Sequence, residues 1–82
     1  MKIENELIQL TQTITRLRGD RSAQAEIERD AAREKIHIIG RTAAFFGGFD
    51  GMTKLHDACE VISPGTGAEL NRAWDGIGGW WA

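Results

Sequence analysis

Ile3-Glu4-Asn5-Glu6-Leu7-Ile8-Gln9-Leu10-Thr11-Gln12-Thr13-Ile14-Thr15-Arg16-Leu17 carries Ile3, Leu7, Leu10, Ile14 and Leu17 at steps of 4, 3, 4 and 3. That is the spacing of a heptad seam, in which one stripe of an α-helix turns toward a neighbouring helix. Glu4 and Glu6 open the segment while Arg16 and Arg18 close it, so the charges oppose the helix dipole at both ends. A lone helix of this length is marginal in water, so the stripe must bury against something. It serves either as one wall of a bundle or as an oligomer seam shared with a second copy.

Reading outward, Gly19-Asp20-Arg21-Ser22 breaks the seam. Gly19 can close the first helix, and Asp20 or Ser22 can cap the next. The seam would continue at Arg21 and Gln24, both polar, which favours a hairpin over one helix running through Gly19. In the second helical stretch Ile27, Ala31, Ile38 and Phe45 are the expected core face, with Ala32, Ile36, Ile39 and Ala43 beside it. Glu26 with Arg29 and Asp30 with Arg33 mark a solvated face. Gly40 interrupts this pattern, either to admit another helix or to end this one.

Gly47-Gly48-Phe49-Asp50-Gly51 reads as a turn, with Asp50 capping a helix in which Met52, Leu55, Cys59 and Ile62 share a stripe. Ser63 to Gly67 ends that helix. Thr66 and Glu69 have the form of a capping box for a last helix with Leu70, Trp74 and Ile77 on one face. The expected fold is all-α: a single domain, 1–82, in a small bundle of three to four helices. An N-terminal hairpin (about 2–18 and 22–46) precedes two shorter helices (about 51–62 and 67–78).

Ten basic against twelve acidic residues leave a net charge of −2, too little to draw the chain to nucleic acid or anionic membranes. Cys59 is the only cysteine, which excludes an internal disulfide and suits a reducing, cytoplasmic setting. No apolar run approaches the roughly 18 residues of a membrane span, and the N-terminus lacks a signal-peptide core. At 82 residues a lone core is small, so regular helix packing or oligomerisation is expected to support it.

His56, Asp57, Cys59 and Glu60 fall within one helical turn. Structural zinc takes four ligands, usually with paired cysteines or spaced histidines, and that pattern is absent. Cys59 also fits the apolar stripe as a small core residue. No metal, cofactor or catalytic residue is therefore expected, and a small metal-binding module stands as an alternative. Phe45, Phe46 and Phe49 lack the basic groove that base stacking requires and are expected in the core.

The three tryptophans, Trp74, Trp80 and Trp81, all lie in the last nine positions. Trp74 shares a stripe with Leu70 and belongs inside. Trp80 and Trp81 are adjacent and cannot both face one core from a regular helix, so they form either a lid or a partner surface. The candidate partner-binding residues are Trp80, Trp81 and Asp75, with Arg29 and Arg33 of the second helix.

The ending Leu70-Asn71-Arg72-Ala73-Trp74-Asp75-Gly76-Ile77-Gly78-Gly79-Trp80 resembles the C-termini of small uncharacterised proteins carried by tailed phages and prophages. That resemblance implies a phage accessory setting, where short helical proteins bind and block host proteins, anti-CRISPR and other anti-defence inhibitors among them. The expectation is a non-enzymatic binding factor that inhibits or regulates a host protein in the host cytoplasm. The alternative to it, besides the metal module, is a structural subunit of a phage particle or another homo-oligomeric assembly.

Overall fold

A computed structural model of the chain describes residues 2–80. Over those residues it is an all-α bundle of three helices, α1 (Ile3–Arg16), α2 (Ala23–Ile62) and α3 (Thr66–Trp74). α1 and α2 are separate, as the Gly19 break implies. Gly19 takes φ +86°, the Asp20 carboxylate accepts from the Ser22 N–H, and Ser22 Oγ accepts from the Ala25 N–H as the N-cap of α2. Arg29 reaches back and donates to the Leu17 and Asp20 carbonyls at 2.5 and 2.6 Å, tying the start of α2 to the connection after α1.

A straight helix of 40 residues would run about 60 Å, yet the longest dimension of the molecule is 37 Å. α2 is therefore bent into two arms, 23–47 and 49–62, about Gly48, whose φ of 62° and ψ of −158° are not helical. The expected five-residue turn shrinks to this one residue. Asp50 lies inside the second arm and caps nothing.

The last helix differs from expectation at both ends. Gly65, left-handed, occupies its N-cap position with no side-chain cap, and Glu69 turns away to Arg18 and Arg72, so the capping box does not form. Glu60 of α2 does that work instead: its carboxylate accepts from the Gly65 N–H at 3.0 and 3.1 Å and from the Gly67 N–H at 2.9 Å. α3 stops at Trp74 and not near 78, because Gly76, Gly78 and Gly79 all adopt positive φ. Their loop is closed by Trp80 N–H to Ile77 O and Gly76 N–H to Trp80 O, at 2.8 and 2.7 Å.

Leu7, Ile36, Met52, Cys59, Leu70 and Trp74 are fully buried and form the centre of the core. The first arm of α2 turns inward the flank of the expected apolar region, Ala32 and Ile36 with Ile39 and Ala43 packed against the core, and not the row of Ile27, Ala31, Ile38 and Phe45. Ala25, Ala32, Ile36 and Gly40 are buried, whereas Ile27, Ile38 and Phe45 are 63, 49 and 82% exposed. Trp74 decides this rotation: its Nε1 donates to the Ile36 carbonyl at 3.1 Å and its ring lies over Gly40. Only the small-residue face of the arm can come that close. Ile62, expected in the core stripe of the second arm, is likewise exposed.

Candidate functional site

The expected oligomer seam of α1 is consumed at home. Leu7, Ile14 and Leu17 are buried within the chain's own bundle, Leu10 is half-buried, and Ile3 alone is exposed, at the rim. Heptad spacing cannot distinguish packing within a chain from packing between chains, which is why the seam left both open.

Of the two readings left open for Trp80, a lid or a partner surface, the structure shows a lid. Trp80 is 8% exposed, donates from Nε1 to Asn71 Oδ1 at 3.2 Å, and meets Trp74 edge to face at 5.4 Å. The Phe49 and His56 rings lie 5.1 and 5.3 Å away on other sides. The glycine loop folds Trp80 back onto the bundle, leaving little of it for a partner to touch. Trp81 lies outside the described residues. Asp75 is exposed just past α3. Arg29 is engaged with the connection after α1, while Arg33 is exposed and makes only a 3.5 Å pair with Asp30.

The His56 cluster does not converge. His56 Nε2 lies 3.2 Å from the Gly67 carbonyl and Nδ1 lies 3.0 Å from Asp57 Oδ1. Glu60 is bound to backbone N–H groups, which hold its carboxyl below the ordinary range. Cys59 is buried and donates to the Glu4 carbonyl; burial, and secondarily Glu4, push its thiol up to about 11. Among the described residues no three His, Cys, Asp or Glu side chains are placed to hold a metal.

What stands out is apolar. Phe45 and Phe46, expected in the core, are 82 and 81% exposed and pack edge to face on each other at 5.1 Å, just before the Gly48 bend. Phe46 rims a groove of about 330 Å³ whose walls are Ile3 of α1, Ile38, Ile39, Thr42 and Ala43 of the first arm, and Leu55 of the second. Three elements thus contribute to one open, almost wholly apolar depression. Adjacency alone did not signal it: neighbours on a helix lie about 100° apart, yet Leu7 and Ile8 of α1 share the core, so nothing local marked Phe45 and Phe46 as exposed.

The fold and this face define a small all-helical bundle with a bent central helix and an open apolar groove. No protein-family model, curated protein or solved structure matches the chain. No helix among the described residues is long and apolar enough to cross a membrane.

Proposed function

We propose that the chain is a non-enzymatic protein-binding factor whose contact face is the groove rimmed by Phe46. The observation that carries this is the solvent-exposed phenylalanine pair beside an apolar depression on a folded bundle. Large exposed aromatics contiguous with other apolar surface mark interaction sites, and an aromatic anchor in a desolvated pocket supplies most of the energy of many interfaces. The partner we propose is a host protein, inhibited or regulated in the host cytoplasm, as the resemblance of the C-terminal segment to phage and prophage accessory proteins implies. The alternatives have less support: the α1 seam is spent on the core, and His56 and Glu60 are both engaged with the Gly67 backbone while Cys59 donates to the Glu4 carbonyl.

The test is capture from a bacterial host with the wild-type chain, then titration of the purified captured protein against wild type and Phe46→Asp. The substitution touches no core contact and should leave stability within about 0.5 kcal/mol, while weakening binding by at least about 30-fold. Equal affinity for both chains would remove the groove from the interface.

A further inference from the structure

The first arm of α2 is apolar on two opposite sides. Its buried side is Ala25, Ala32, Ile36 and Gly40. About half a turn round the helix, Ile27, Ala31, Glu34, Ile38, Arg41 and Phe45 succeed one another at steps of 4, 3, 4, 3 and 4, all of them exposed. This is the heptad pattern that opens the chain at α1, but here none of the described residues covers it. Two of its six positions are charged and of opposite sign, Glu34 and Arg41, joined across the surface at 3.7 Å.

We propose that this stripe is a dimer seam, against which a second copy lays the same stripe antiparallel about a twofold axis level with residue 36. In that register every seam position meets another: Ile27 meets Phe45 of the second copy, Ala31 meets Arg41, and Glu34 meets Ile38. Glu34 then lies one turn from Arg41 of the second copy, so a charge pair forms twice by symmetry. An isologous contact needs a surface complementary to itself, and an apolar stripe carrying one acid and one base supplies it.

The area fits a weak pair. A strip about 27 Å long and one helix wide buries roughly 500 Å² per copy, at the lower bound for a specific interface. The bundle already holds the arm helical, so pairing does not bear the ordering cost that makes short isolated coiled coils unstable. The stripe and the groove share Ile38 and adjoin where Phe45 packs on Phe46, so Ile27→Glu, at the far end of the stripe, is the variant that separates pairing from partner binding.

Sedimentation equilibrium of the full chain tests this. Wild type should dimerise with a dissociation constant on the order of 10–100 μM. Ile27→Glu and Phe45→Glu, both at exposed positions, should each weaken pairing at least about tenfold, with circular dichroism unchanged. Glu34→Arg or Arg41→Glu alone should weaken it about fivefold, and the double variant should return to within about twofold of wild type. A 9.1 kDa monomer persisting at about 500 μM overturns the proposal. So does a dimer indifferent to Ile27→Glu and Phe45→Glu, or a double variant that fails to recover.

Discussion

The indole of Trp74 reaches the Ile36 carbonyl because position 40 carries no side chain: a Cβ there would lie 2.5 Å from Trp74 Nε1. Gly40→Ala should accordingly destabilise the fold by about 1–3 kcal/mol through overpacking, against a gain of about 1 kcal/mol from helix propensity alone. Urea unfolding followed by tryptophan fluorescence decides it, and a variant more stable than wild type would show that the contact is loose. From the sequence, Gly40 was visible as an interruption with two meanings. The choice between them belongs to Trp74, 34 positions away, which no local pattern could reveal. Trp80 is similar: adjacency with Trp81 showed that one ring could sit apart, but only the loop of Gly76, Gly78 and Gly79 shows that Trp80 turns inward.

At the level of elements, the bend in α2 rests on Gly48. Its φ of 62° with ψ of −158° lies in a region essentially reserved for glycine. Gly47, next to it, is helical and has open space where a Cβ would go. Gly48→Ala should therefore cost about 1–3 kcal/mol, while Gly47→Ala should be neutral or stabilise by up to about 1 kcal/mol. Chemical denaturation of the two single variants separates them, and equal effects would mean the bend does not depend on Gly48. Helix existence here was readable from apolar spacing. The extents were not, because a single glycine can turn a helix back without a visible loop, and because Glu60 caps α3 from a different element.

On the scale of the whole molecule, acid should loosen the bundle at a known place. Glu60 accepts hydrogen bonds from Gly65 and Gly67, which lower its carboxyl from the ordinary 4.5, and Ser22 lowers Asp20 from 3.8. A carboxyl lowered in the folded state stabilises above its unfolded value, and that contribution is lost as pH falls through the folded one. Wild type should thus lose stability between about pH 5 and pH 3. Glu60→Gln should begin less stable at neutral pH and show a shallower decline over the same range. Urea midpoints across that range test this, and parallel curves would place the acid sensitivity elsewhere.

The sequence alone determined that the chain is helical, where its first helix runs, that Gly19 separates it from the second, and that Trp74 lies inside. These follow from spacing, capping and composition, which act over one or two turns. Only the tertiary structure decided which face of α2 turns inward, because the arm is apolar on opposite sides and a pattern with two solutions cannot choose between them. Docking Trp74 over Gly40 made that choice and left Ile27, Ile38 and Phe45 exposed, while the α1 seam went into the chain's own core. The surfaces on which function is proposed are therefore what the core did not take.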